Sequence, residues 1–134
     1  MKRLLNLTGC VFVLGLPWVA EAGTLFTNPV IFVRPSTLEF GPVASDTTAT
    51  NSFLVENMGS GRLVGTVTVA APFKILTGGN FTLRKNEAQV ITVTYTPSGA
   101  ASDTETVKFT GGGGAEATVT GKLAPPKSKK PNRK

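Results

Sequence analysis

Histidine is absent from the 134 residues, and cysteine and tryptophan occur once each, as Cys10 and Trp18, close to the N-terminus. The first absence removes the commonest general base and the commonest transition-metal ligand. With no cysteine after position 10, neither a disulfide nor a thiol nucleophile serves the rest of the chain. Serine catalysis would need another base, and Ser98, Ser102 and Ser128 fall in loop-like or basic sequence with nothing arranged around them. Asp103 and Glu105, with Asp46 elsewhere, could offer oxygens to calcium, but no EF-hand spacing accompanies them, so a solvated strand entrance is expected. The run Gly111 to Gly114 has no lysine or helix behind it to make a phosphate loop, and is expected to be a flexible hairpin tip. No catalytic residue, metal site or cofactor is expected.

Apolar residues run unbroken for long only at the start. Met1, Lys2 and Arg3 precede "LLNLTGCVFVLGLPWVA", and Ala20-Glu21-Ala22 has the form of a leader-peptidase site. That order of basic start, apolar middle and small-residue end predicts a signal peptide over residues 1–22, with a mature chain from Gly23. The rival reading is a lipobox, "LTGC" from Leu7 to Cys10, which would make a lipoprotein anchored at Cys10. Against it, only six residues separate Arg3 from Cys10 and the apolar run continues past the cysteine. An uncleaved anchor is disfavoured by Pro17 and by a run somewhat short of the roughly 20 residues a spanning helix needs. The expected location is periplasmic or extracellular.

Acidic residues are missing from the other end. Lys122 to Lys134 carries six bases and three prolines, whereas Gly23 to Gly121 holds six bases against seven acids. The basicity therefore belongs to the tail, and residues 124–134 read as a disordered segment. Lys127, Lys129, Lys130, Arg133 and Lys134 are its candidate binding residues, suited to anionic envelope polymers or lipids through counterion release and long-range attraction. The tail has no aromatic residue to stack on bases, so sequence-specific nucleic-acid recognition is not expected.

Between the ends no helical period persists. Period-two alternation recurs instead, broken by Gly, Pro, Asn and Ser: Ile31 and Val33 with Leu38 and Phe40 along a first segment interrupted by Pro35, then Phe53 and Val55, Leu63 to Val69, Phe73 and Ile75, Phe81 and Leu83, Ile91 to Tyr95, Val107 and Phe109, and Ala117 and Val119. Seven to eight short strands with no crossover helix predict an all-β, antiparallel immunoglobulin-like sandwich over residues 23–123. The turn Asn57 to Gly61 is expected to be a structural corner, with Asn57 hydrogen-bonding its own turn and Gly59 and Gly61 free to take positive φ. Asn80-Phe81-Thr82 is a formal glycosylation sequon, but Phe81 reads as a core residue.

Six motifs follow in order: "LEFG" at Leu38, "NMGSG" at Asn57, "PFKI" at Pro72, "FTL" at Phe81, "YTP" at Tyr95 and "TVTGKL" at Thr118. Together they resemble the ASH/HYDIN-type immunoglobulin-like domain, as found in bacterial exported proteins of the choice-of-anchor D type. The resemblance implies a sandwich related to major sperm protein and pilus-chaperone domains, with no catalytic residues and a role in protein interaction or as a structural spacer. A protein partner is therefore expected at a free sheet edge, first of all along Ile31 to Phe40, where Pro35 cannot donate to a ladder. A pilus-chaperone role is the less favoured alternative.

Overall fold

A computed structural model describes residues 28–128. The leader, including Cys10, and the tail positions Lys129, Lys130, Arg133 and Lys134 lie outside the described residues. Nine strands follow one another: β1 (Ile31–Arg34), β2 (Thr37–Val43), β3 (Ala49–Asn57), β4 (Leu63–Thr68), β5 (Phe73–Thr77), β6 (Asn80–Leu83), β7 (Ala88–Tyr95), β8 (Ser102–Phe109) and β9 (Ala115–Leu123). They form a four-stranded sheet in the order β1-β3-β7-β5 and a five-stranded sheet in the order β2-β9-β8-β4-β6. The two pack into an immunoglobulin-like sandwich, as the alternating pattern and the missing crossover helices require.

Two details depart from the expectation, and both come from strands that change sheets. The segment Ile31 to Phe40 is not one strand. Its first part pairs antiparallel with β3, the chain crosses at Pro35 and Ser36, and its second part pairs with β9 in the other sheet. That pairing is parallel, so the architecture is mixed rather than purely antiparallel. On the opposite side Gly78 and Gly79 carry the chain from β5 in one sheet to β6 in the other. The Ile31 to Phe40 run, cut by proline, thus becomes two edge strands and raises the count from eight to nine, while the runs on either side of Gly78 and Gly79 are separate strands as expected.

The core sits between the sheets and is filled by the predicted inward positions. Phe53, Val55, Leu63, Ile91, Val93, Tyr95, Val107 and Val119 are buried, with Leu38, Phe73, Phe81, Leu83 and Phe109 closing around them. Side chains of this size contribute roughly 1.5–3 kcal/mol each on full burial. At one end Tyr95 stacks on Phe73 with ring centroids 4.7 Å apart, and Phe40 leans on both. Further along, Phe53 meets Phe109 edge to face at 5.7 Å.

Asn57 is the one buried polar side chain among the described residues. Its Oδ1 accepts from the backbone N–H groups of Gly59 and Val30 at 3.0 and 3.2 Å, and its Nδ2 donates to the carbonyls of Gly61 and Leu83 at 2.7 and 3.2 Å. The expected bond within its own turn is present, and two further bonds reach β6 and the residue ahead of β1. The glycines act otherwise than expected. Neither Gly59 nor Gly61 takes a positive φ. Gly59 is required by space, because a β-carbon there would run into the backbone of Asn28 to Val30.

Candidate binding surface

The outer faces of the two sheets differ in chemistry. On the four-stranded sheet the cross-strand register sets Arg34, Leu54 and Val90 in one rank and Phe32, Glu56 and Ala88 in the next. Beyond them Met58 N–H donates to the carbonyl of Val30, bringing those two residues together at the end of β1 and β3. Leu76 stands at the β5 bulge between Ile75 and Thr77 on the far edge. Phe32, Met58, Leu76, Val90 and Val30 are all exposed, Leu76 by 59%. Among the described residues, five of the six exposed large apolar side chains therefore belong to one face of one sheet or its ends.

Charge on this face is sparse and organised. Arg34 donates from Nη2 to Glu56 Oε2 at 2.6 Å, and its guanidinium sits 5.5 Å from the centre of the Phe32 ring. An exposed ion pair of this kind contributes little stability, on the order of 0–1 kcal/mol, but it neutralises the one acid on the face. Lys74 is left unbalanced, and Arg84 and Lys85 project from the loop ahead of β7, where the Glu87 carboxylate is turned back onto the N–H of Arg84 at 2.6 Å.

The five-stranded sheet is different. Its ranks read Thr106, Thr118, Thr37 and Thr104, Thr120, Glu39, flanked by Lys108 with Glu116 and by Lys122. Among the described residues, Val64 is its single exposed large apolar residue. Thr66 and Thr110 bond each other through backbone and hydroxyl groups. Two depressions lie on this side, an open one of about 560 Å³ between Lys108 and Glu116 and a smaller one of about 150 Å³ at Gly41 and Pro42. Neither gathers titratable groups in a catalytic arrangement.

Gly111 to Gly114 all take positive φ, and Gly114 N–H closes a turn on Gly111 carbonyl at 2.8 Å. The tip is not a loose hairpin end. Its Gly112 carbonyl accepts from Ile31 N–H, and β-carbons at Gly111 or Gly112 would collide with Val64 or Ile31. The glycines are there for docking and handedness together.

Ser98 and Asp103 also differ from expectation. Asp103 Oδ1 accepts from Ser98 Oγ at 2.7 Å, and its Oδ2 accepts from the buried Tyr95 hydroxyl at 2.8 Å. Asp103 is thus the anchor of the β7–β8 loop rather than a solvated entrance. The Ser98 and Tyr95 bonds hold its carboxyl below the usual range, while burial, then the Asp103 bond and charge, push the Tyr95 phenol up to about 12. Together the Ser98, Asp103 and Tyr95 bonds form a structural clasp that holds the β7–β8 loop against the core.

Of the predicted tail residues, Lys127 is described and exposed, four residues past the end of β9. The first segment does supply edges, β1 in one sheet and β2 in the other, though Asn51 Nδ2 already caps the β2 carbonyl of Glu39 at 3.1 Å.

No protein-family model matches the chain, and no curated protein sequence matches it either. Solved structures do. The chain is similar to the ASH/PapD-like domain 7 of human CEP192, with 13% identity, a TM-score of 0.59, and coverage of 72% of this chain and 87% of that one. It is similar to a Porphyromonas gingivalis protein of unknown function at 16% identity and a TM-score of 0.63, covering 78% of this chain and 51% of the other. The Escherichia coli chaperone DraB matches at 13% identity and a TM-score of 0.55, over 76% of this chain and 58% of the chaperone. At such identities the likeness shows the fold, which is the ASH/PapD-like form of the immunoglobulin sandwich. The choice-of-anchor D resemblance has no counterpart among these matches.

Proposed function

We propose that this protein is an exported, non-catalytic binding module of the cell envelope that takes a protein partner at the sheet edge formed by β1 and β2. The observation that carries this reading is the sheet switch at Pro35 and Ser36. It leaves two short edge strands in succession, one in each sheet, whose outward backbone groups are taken at Ile31 by Gly112 and at Glu39 by Asn51 and otherwise face away from their sheets. The likeness to PapD-like domains supports a recognition role, and the tight Asn57 and Tyr95 networks give such edges a rigid support. A photoreactive residue placed at Ser36 or at Glu39 is expected to crosslink a protein in the native envelope, while one at Lys108, on the threonine face, is not. Equal crosslinking from all three positions, or from none, would remove the edge as the binding site.

A second reading is favoured by the charge distribution. Six bases and no acid over Lys122 to Lys134, with Lys127 exposed beyond the folded domain, support attraction to anionic polymers or lipids. The pilus-chaperone alternative rests on matches to chaperones such as DraB and YadV. Because the chain spans 58% of DraB, the likeness supports one sandwich of it and not the whole activity.

A further inference from the structure

We propose that the outer face of the four-stranded sheet is a membrane contact that lays the domain flat on an anionic phospholipid bilayer. The inference rests on the reading of the tail as an anion-seeking segment, and adds which face of the folded domain touches the lipid. Three observations converge on that face. Val30, Phe32, Met58, Leu76 and Val90 are exposed there across all four strands or their ends, against a single such residue on the opposite face. The one acid among the described residues of this face, Glu56, is neutralised by Arg34, while Lys74 on the face and Arg84 and Lys85 at its end pair with no acid among the described residues. Among the described residues, the depressions at Lys108 and Glu116 and at Gly41 and Pro42 lie on the other sheet.

These features select a bilayer over a protein. Protein contacts concentrate their energy in anchors that fill pockets, whereas here half-exposed apolar groups share the sheet surface with Ser52, Thr92 and Thr94, and basic residues stand on it at Lys74 and at its end. That is the composition of a surface that settles at the boundary between headgroups and acyl chains. There, buried apolar area and attraction to anionic lipid add, and neither suffices alone for stable attachment.

The test uses the absence of tryptophan from Gly23 to Lys134. Full-length mature protein carrying Phe32→Trp, Val90→Trp or, as the opposite-face control, Thr106→Trp is mixed with phosphatidylcholine vesicles, with and without phosphatidylglycerol, whose acyl chains are brominated near the headgroup. All three positions are exposed, so each variant should keep the melting temperature of the parent, and two reporters on the proposed face guard against the failure of either. The expected result is blue-shifted, quenched emission from positions 32 and 90 only with anionic vesicles, and unquenched emission from 106. In the unlabelled protein, Phe32→Ser with Val90→Ser should lower vesicle partitioning about tenfold. If vesicles bind but 32, 90 and 106 respond alike, the tail alone holds the protein and the face is not the contact. Failure of the parent to bind anionic vesicles at low salt would overturn the tail reading together with this one. A concentration-dependent blue shift at 32 without lipid would also overturn it, by assigning the face to a second copy of the chain.

Discussion

The ring of Tyr95 lies so close over Gly121 that a β-carbon on the glycine would overlap the ring edge at Cδ1, Cε1 and Cζ. Tyr95 is fully buried, stacked on Phe73 and bonded to Asp103, so it has nowhere to retreat. Gly121→Ala should therefore cost about 2 kcal/mol or more through overpacking. Gly41→Ala, where φ is +66° but nothing crowds a β-carbon, should cost about 1–2 kcal/mol from backbone conformation alone. A double-mutant cycle with Tyr95→Leu, read by urea denaturation, should recover part of the Gly121 loss and none of the Gly41 loss.

Asn57 joins four backbone groups from three parts of the chain. Asn57→Ala should cost about 3 kcal/mol, because it strands buried donors and acceptors together. Asn57→Asp is the sharper variant. It sets a carboxylate against the carbonyls of Gly61 and Leu83, so its pKa in the fold rises above the unfolded value. A raised value stabilises the protonated form, so the penalty relative to wild type should shrink as pH falls from 7 toward 4. A penalty independent of pH would show that the side chain escapes to solvent.

The Tyr95–Asp103 clasp gives the fold two pH edges. Asp103 has a depressed pKa, so its contribution is present above the unfolded carboxyl value and is lost as pH falls through the folded one. The Tyr95 phenol is raised to about 12, so its contribution is complete below the unfolded value near 10 and is lost between about 10 and 12. Tyr95→Phe should remove the alkaline loss of stability, and Asp103→Asn should flatten the acid edge. Thermal melts across pH, compared with wild type, check both.

The sandwich was legible in the sequence because one side of each strand had to be apolar and the other did not. Phe53 and Val55, Ile91 to Tyr95, and Val107 with Phe109 all point inward as their alternation requires. The sheet switches were not legible, since a proline between two alternating runs reads equally as a break within one strand and as a passage between two. The apolar outer face left a trace that pattern-reading passes over. In "VIFV" at Val30, "FLV" at Phe53 and "QVITV" at Gln89, alternation fails because both sides are apolar, the signature of a strand with something on each face. Nor could spacing join Ser98 and Asp103 to Tyr95, because that clasp depends on how the β7–β8 loop folds back.

Export is the premise on which both the edge-binding reading and the membrane contact rest, and the intact mass of the protein recovered from its own cells tests it most directly. The account predicts a chain beginning at Gly23 in the envelope or extracellular fraction. A chain that keeps Met1 or Lys2 and stays in the cytosol would contradict it, and a diacylated Cys10 would replace the free exported domain with a lipoprotein.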